Sequence, residues 1–556
     1  MKYVIYSAII KGITSFKITS NPYIDFTFLH NAYGVKRLEV LTQPLGISYI
    51  NYIMRKRSRN HGIAPKFIFR DIKKADNVKI EVIKQAMKEL GLKLIKKSKV
   101  IDYGDELPGN DDLETILILL KGKILSYHEL KKMVEKGNYY IENELSSILQ
   151  VLYLNHSIVI YPSCGIENLG TRYICKNCDN IVTGEIPAGG RACPNCGSYL
   201  EIEGLLFAAP NNDKSMIRIP VKFKDYKGFA FPQDMASNGL MDFIQDDSSE
   251  CLLWMVSGSE NINITARAIR SSLNKRGKCV LITSGNSQSE EFYTNIKNVF
   301  PGASIIMNDK SQPSYGADIV ICGPNEIRSY YKNFDLVIAY ESPGNQKMNI
   351  SKFTPQIRRA LRDEGKIIYS TATPEYKIYK RAIKGEIKFV TVPIRNHGRP
   401  CPEPRILTYK IQSGNEYFIH SDIINFVLWS VSESIIVHII VPYLEQIKII
   451  HDKLLDHDSI RDEWFQGSKP FVIITNSYDK YINLVDEENV IVFFADEKSV
   501  FDEKELLDVA GLAGKLPLHK MVEVIFVGSK ESEEMYNAKL MLRHLNRLAW
   551  EMGYVK

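Results

Sequence analysis

Four cysteines, Cys175, Cys178, Cys193 and Cys196, form two Cys-x-x-Cys pairs separated by fourteen residues in YICKNCDNIVTGEIPAGGRACPNCGSYLEIEG. Each pair offers two thiolates from one tight turn, and two such turns complete a tetrahedral four-sulfur site for Zn2+. Four thiolates leave no coordination position open, so the metal this spacing predicts is structural and not catalytic. Cys164, Cys251, Cys279, Cys322 and Cys401 are scattered and mostly flanked by apolar residues. They read as small core hydrophobes, and the cysteine usage as a whole fits a reducing cytoplasm better than an oxidising compartment.

A second pattern concerns phosphate. A strand, a glycine-bearing turn and a helix hold polyphosphate when the turn supplies backbone N–H groups and a lysine, and a Ser or Thr supplies a magnesium ligand. Leu252 to Asn263, LLWMVSGSENIN, followed by ITARAIRSSLNKRG, has the strand, the turn and the helix. It lacks the lysine and the magnesium-binding hydroxyl. Taken alone, GSENIN is an ordinary turn, Glu341 an ordinary strand-end acid and AGLAG an ordinary helix stop.

These patterns need elements to position them. A chain of 556 residues exceeds what one hydrophobic core usually serves and predicts three or four domains. From about Tyr226 onward, strand-like runs alternate with helical stretches: CVLITS, ASIIM, DIVICG, DLVIAY and KIIYSTATP, then SIIVHIIVP, PFVIITN, NVIVFFAD and VEVIFVG. Near-continuous apolar strands of this kind are buried on both faces, which predicts parallel sheets sandwiched between helices, with strands enough for two. Four prolines and a glycine between Pro393 and Arg405 mark the break between them.

The expected division is therefore a mixed α/β region over 1–115, a small helical or winged-helix-like element over 116–165 and the ribbon over 170–205. Two α/β domains over 226–400 and 405–530 and a closing helix over 531–556 follow. The basic stretches RKRSR and KFIFRDIKK near the N-terminus serve equally as solvated faces or as nucleic-acid contacts. A net charge of +6, from 71 basic and 65 acidic residues, leaves the partner undecided. With 45% apolar and 24% charged residues the composition is that of a globular chain. MKYVIYSAII reads as a buried strand, and Ser434 to Pro442 is far shorter than a bilayer span.

In their order, these segments resemble the ComFA family of late-competence proteins, superfamily 2 helicase-like ATPases of DNA uptake, from Gln233 to the C-terminus. The similar segments are FPQDMASNGLMDFI (glutamine motif, Gln233), LLWMVSGSENIN (Walker A), FDLVIAYES (Walker B), KIIYSTATP (coupling motif), HGRPCPEPR (interdomain link), LLDVAGLAGK (arginine motif) and HLNRLAWEMG (closing helix). The resemblance implies two RecA-like domains and, just upstream, the four-cysteine zinc site. It also implies partners: single-stranded DNA, a ComFC-like phosphoribosyltransferase-like protein and the membrane DNA-uptake channel. The implied location is cytoplasmic, at the inner face of the membrane and without insertion into it; an oligomer is compatible with it.

The chain departs from the family at the positions that handle ATP and Mg2+. Where the phosphate loop of the family reads Gly-x-Gly-Lys-Thr after Ser257, this chain has Gly258, Ser259, Glu260, Asn261 and Ile262. A glutamate faces polyphosphate, so repulsion replaces attraction. Tyr340 replaces the magnesium-binding aspartate, although the catalytic-type Glu341 remains as a vestige. Both arginines of the arginine motif are lost, at Leu512 and Lys515, whereas the coupling motif Ser370, Thr371, Ala372 and Thr373 is preserved. The expectation is a pseudo-ATPase that binds single-stranded DNA. Two alternatives stand beside it: an active translocase with an atypical nucleotide site, and an interaction scaffold without DNA binding.

Overall fold

The computed structural model describes residues 2–59, 76–93, 98–137, 139–168, 171–176, 178–187, 190–195, 197, 199–211, 222–225, 228, 230–256, 262–275, 277–283, 286–307, 316–340, 350–395, 397–413, 416–455, 472–476, 488–511, 513–514 and 522–555. The N-terminal strand expected from MKYVIYSAII runs from Val4 to Ile10 and pairs antiparallel with Ile13–Thr19. Lys11 and Gly12 make the turn between them with φ of 49° and 76°, the double positive φ that matches the twist of a hairpin. Leu38–Val40 and Lys99–Ile101 complete this four-stranded antiparallel sheet. Helix Pro22–Tyr33 packs Phe26 and Leu29 against Tyr6 and Ala8 on one face. On the other face Tyr3, Ile5 and Phe16 enter a core with helices Asn110–Leu120 and Leu145–Leu154.

Helix Tyr127–Lys136 starts at a capping box, in which Ser126 accepts from the Glu129 N–H while the Glu129 carboxylate accepts from the Ser126 N–H. A three-stranded antiparallel sheet, Ile124–Ser126, Leu205–Ala208 and Val159–Pro162, closes around the ribbon, which is inserted between its last two strands in sequence.

The α/β body contains both parallel sheets that the strand pattern predicts. The first runs in the order Ile305–Met307, Ile319–Cys322, Cys279–Ile282, Phe334–Tyr340, Leu361–Thr371, Glu250–Met255 and Lys388–Val392, every pairing parallel. The second runs Arg405–Thr408, Val524–Gly528, Glu488–Phe493, Ile436–Ile440 and Val472–Thr475, again all parallel. Alternate residues of each strand enter different cores, as burial on both faces requires: Leu252 and Trp254 one, Cys251, Leu253 and Met255 the other.

One apolar cluster is shared by the two sheets. It joins Leu252, Trp254 and Val337 of the first to Val490, Val524 and Phe526 of the second, through Met535, Leu542 and Leu545 of the closing helix Glu533–Glu551. The two α/β units are thus packed on one another, with the closing helix in the joint. Among the described residues, no helix is long and apolar enough to cross a membrane.

Candidate metal centre and nucleotide cleft

The two Cys-x-x-Cys knuckles are built by turns of the same design. In the first, the Asp179 N–H donates to the Cys175 carbonyl at 2.8 Å; in the second, the Gly197 N–H donates to the Cys193 carbonyl at 2.8 Å. Asp179 and Gly197 both have positive φ, 54° and 68°, the left-handed conformation that Asp tolerates better than most residues and Gly adopts freely. The turns bring Cys175, Cys178 and Cys193 together, all buried, with their sulfurs within 4.8 Å of one another. Cys178 Sγ and Cys193 Sγ are 3.8 Å apart. A tetrahedron with Zn–S bonds of about 2.3 Å has edges of about 3.8 Å, so these donors fit a zinc ion. Cys196 lies outside the described residues.

Cys164 is a cross-strand neighbour of Cys175 but not a member of the cluster. Its sulfur faces the Glu201 carbonyl at 3.4 Å, and burial pushes the thiol above its ordinary range. It remains a thiol at neutral pH.

The ribbon is clamped from two sides. Ser48, on helix Ile47–Arg59, donates through Oγ to the Cys164 carbonyl at 2.8 Å. Arg359, at the end of helix Ile350–Ala360, donates through Nη1 to the Lys176 carbonyl at 3.0 Å and through Nη2 to the Arg328 carbonyl at 3.1 Å. Lys176 follows directly on Cys175, so the first knuckle is pinned to the first α/β domain. Sequence reasoning missed Arg359, because nothing local marks one arginine of a helix end as the partner of a carbonyl 183 positions away.

Of the residues expected to form a nucleotide cleft, Ser257, Gly258, Ser259, Glu260, Asn261, Glu341, Leu512 and Lys515 lie outside the described residues. The flanking positions are described. Ile262, expected from the resemblance to stand where the magnesium-binding hydroxyl would be, is 5% exposed and belongs to the same apolar cluster as Ile338 and Tyr340. Tyr340, expected from the resemblance to stand where the magnesium-binding aspartate would be, ends strand Phe334–Tyr340 and is buried. The phenol oxygen hydrogen-bonds the Thr265 hydroxyl on the first turn of helix Asn263–Asn274, and Thr265 also donates to the Ile262 carbonyl at 2.8 Å. Phe292 packs edge-on against the Tyr340 ring, centroids 4.6 Å apart. Burial pushes the phenol far above its ordinary range, so it stays neutral and offers no charge to a cation. At the two positions that the resemblance sets in place of magnesium ligands, the side chains are therefore an isoleucine and a neutral phenol already in use. This donor set does not fit Mg2+, which takes hard oxygen ligands and carboxylates.

Gln233 of the glutamine motif is fully buried on helix Phe231–Gln245 and donates through Nε2 to the Ile394 carbonyl at 3.2 Å. That helix is tied to helix Asn263–Asn274 by Arg267, which grips Asp225 through Nε and Nη2 at 3.2 Å each and Asp234 through Nη1 at 2.7 Å. The next residue of the link, Arg395, is 1% exposed. It donates through Nη1 to the Ala513 and Gly514 carbonyls at 2.5 and 2.6 Å, and through Nη2 to the Gly511 carbonyl at 3.0 Å. Those carbonyls follow helix Glu503–Ala510, whose C-terminal partial negative charge suits a cation. In the coupling motif, Ser370, Thr371 and Thr373 are buried; Thr371 Oγ1 accepts from the Thr373 N–H at 2.9 Å, and the Ala372 carbonyl accepts from Trp254 Nε1 at 3.0 Å. This segment is thereby a buried turn tied to strand Glu250–Met255.

The chain is 23% identical over 344 residues to the competence protein ComFA of Bacillus subtilis (strain 168), covering 57% of this chain and 72% of that protein. It is 21% identical over 243 residues to the competence protein ComFA of Streptococcus pneumoniae (strain ATCC BAA-255 / R6), covering 42% of this chain and 54% of that protein. The chain is a ComFA relative. It spans about half the length of the pneumococcal ComFA. No protein-family model matches the chain. Among solved structures it is similar to RecG bound to a three-way DNA junction, at 14% identity and TM-score 0.38, covering 60% of this chain and 49% of that one. It is also similar to Saccharomyces cerevisiae Dbp5 bound to RNA and ADP BeF3, at 11% identity and TM-score 0.38, covering 58% of this chain and 92% of that one. The two RecA-like domains of this ComFA relative rest on its own strand order.

Proposed function

We propose that this ComFA-like, helicase-related protein binds single-stranded DNA in competence DNA uptake and has lost ATP hydrolysis. The observation that carries the loss is the hydrogen bond between the buried Tyr340 phenol and Thr265, beside the buried Ile262. Phosphoryl transfer on this type of scaffold uses a metal ion to neutralise charge on the transferred group, together with a lysine and arginines. Here the described magnesium positions are sealed, and the sequence lacks the loop lysine at Asn261 and both arginines at Leu512 and Lys515.

In this reading Cys175, Cys178, Cys193 and Cys196 hold one structural zinc ion. The metal supplies cross-linking of the two knuckles and no chemistry. Gln233, Ser257, Gly258, Ser259 and Asn261 belong to a nucleotide site that is no longer functional, and Glu341 is its vestigial acid. The coupling turn from Ser370 to Thr373 serves as a structural element. The DNA runs over the two α/β domains, held by Lys and Arg contacts to its backbone without sequence preference. A ComFC-like protein and the membrane uptake channel are its protein partners in the cytoplasm.

The test is a DNA-stimulated ATPase assay on the zinc-loaded protein, run beside its affinity for a single-stranded oligonucleotide at two salt concentrations. We expect background hydrolysis and binding that falls steeply with salt. DNA-stimulated turnover that Glu341→Gln abolishes promotes the translocase instead. Absence of DNA binding at about 50 mM salt, where counterion release favours it most, promotes the scaffold.

A further inference from the structure

The turn from Ser370 to Thr373 is followed by Pro374, Glu375 and helix Tyr376–Ile383. This helix divides sharply by face. Ile378 and Ala382 are buried in the apolar cluster that both α/β units share, and Tyr379 packs edge-on against Trp254 with ring centroids 5.4 Å apart. His544 of the closing helix stacks on the same Trp254 at 5.8 Å, so helix Tyr376–Ile383 lies beside the closing helix at the joint of the two units.

The opposite face is open and basic. Tyr376, Lys377, Lys380, Ile383 and Lys384 are exposed, Tyr376 at 73% and Ile383 at 60%. Residues three and four apart are neighbours on a helix surface, so Tyr376, Lys380 and Ile383 form one stripe and Lys377, Lys380 and Lys384 another. Lys380 holds its amine over the Tyr376 ring, 5.7 Å from the centroid. No acidic residue occurs between Tyr376 and Gly385.

The carboxylates around this helix are engaged elsewhere. Glu375, at the helix start, accepts from the Ser351 N–H at 3.1 Å and from the Ser351 hydroxyl. Glu250 takes Arg381 at 2.6 Å, which removes that arginine from the open face. Glu386 lies between Arg381 at 3.8 Å and Lys384 at 4.0 Å. Lys377 and Lys380 have no carboxylate within ion-pairing distance among the described residues. Two uncommitted cations therefore flank an exposed ring on a helix whose other side is anchored in the core.

This combination suits a single strand of nucleic acid. Lysines one turn apart neutralise backbone phosphates without reading sequence, and an unpaired base stacks on an aromatic ring. A duplex keeps its bases stacked on one another and leaves the ring unused.

We propose that the exposed face of helix Tyr376–Ile383 is a contact site for single-stranded DNA, in which a base stacks on Tyr376 while Lys377 and Lys380 meet the flanking phosphates. The site rests on the DNA-binding reading above and assigns it to one element. DNA held here sits at the joint of the two α/β units, next to the closing helix.

Fluorescence anisotropy of a labelled oligothymidylate with the zinc-loaded full-length protein tests it, at about 50 mM salt where counterion release favours binding. We expect Tyr376→Ala, and the double variant Lys377→Gln with Lys380→Gln, each to weaken binding about fivefold or more, the scale of one lost base stack. Lys131→Gln, an exposed lysine elsewhere, should leave it unchanged. The double variant should also flatten the log–log salt dependence by about 1.4, from about 0.7 per phosphate contact. Tyr376→Phe keeps the ring and should bind as the unmodified protein does. The substituted residues are all exposed, so the fold is retained, as circular dichroism of each variant checks. An oligonucleotide carrying iodouracil should photo-cross-link to the peptide that contains Tyr376. DNA binding by the unmodified protein that none of these variants weakens overturns the site and leaves the DNA-binding reading standing. No binding by the unmodified protein overturns both. Variants that keep their affinity for DNA but lose affinity for vesicles of anionic phospholipid assign the face to a membrane surface and overturn the site as well.

Discussion

Gln233 and Arg395 hold the interdomain link from its two sides: Gln233 donates to the Ile394 carbonyl at 3.2 Å, and Arg395 donates to the Gly511, Ala513 and Gly514 carbonyls of the second α/β domain at 2.5 to 3.0 Å. Adjacent link residues thus join helix Phe231–Gln245 to the backbone that follows helix Glu503–Ala510, with every contact made to backbone.

Removing the guanidinium should loosen that joint. Arg395→Met leaves three carbonyls without their charged donor, and hydrogen bonds to charged groups contribute about 1.5 to 3 kcal/mol each before compensation. We expect a loss of about 3 kcal/mol in urea denaturation, and faster proteolysis within the link. Arg395→Lys, which keeps the charge but not the fork, should recover part of it. A change under about 0.5 kcal/mol, the level of an ordinary surface substitution, means that the contact does not hold the domains.

Tyr340 gives opposite outcomes for two substitutions. Tyr340→Phe removes only the hydroxyl, and Thr265 keeps its bond to the Ile262 carbonyl, so the cost should be about 1 kcal/mol. Tyr340→Asp restores the helicase-type residue yet buries a carboxylate among Ile262, Ile338 and Phe292, which should cost several kcal/mol. Neither variant should hydrolyse ATP above background. Phosphate release from Tyr340→Asp with Asn261→Lys and Ile262→Thr, while Leu512 and Lys515 remain, runs against the cooperative requirement for all of these groups.

Metal analysis should find about one zinc ion per chain. Cys178→Ser or Cys193→Ser should lower zinc content and solubility together, since a thiolate site contributes on the order of 10 kcal/mol to its local fold. Zinc-free protein prepared without chelators, with the ribbon intact by NMR, contradicts the metal centre.

Asp25 predicts a pH dependence in the N-terminal region. It is fully buried, accepting from the Tyr6 hydroxyl at 2.7 Å and the Thr19 hydroxyl at 2.6 Å. Burial pushes its carboxyl from an ordinary value near 3.8 up to about 7, against the opposing pull of the Thr19, Tyr6 and Gln150 hydrogen bonds and the Lys17 charge. A carboxyl raised on folding binds its proton more tightly in the folded state. Its contribution is therefore complete below about pH 4 and is lost as pH rises to about 7. The stability difference between the wild type and Asp25→Asn should change across that window in favour of the variant, read by hydrogen exchange in strand Val4–Ile10. A difference that is flat with pH shows that the carboxyl is ionised throughout.

How much was legible in advance follows from the range of each signal. The two Cys-x-x-Cys pairs and the apolar strands of the two parallel sheets are local patterns: ligand spacing within one turn, and burial of both faces within one strand, are visible in consecutive residues. The absence of the loop lysine at Asn261 and of the arginines at Leu512 and Lys515 is likewise a matter of residue type, and so was the aspartate-to-tyrosine change at Tyr340. Only the tertiary structure decided what these residues touch. Thr265 and Tyr340 are 75 positions apart, Gln233 and Ile394 are 161 apart, and Arg359 and Lys176 are 183 apart. No periodicity encodes such pairings, because each partner is chosen by the folding of whole sheets against one another and not by its neighbours in the chain.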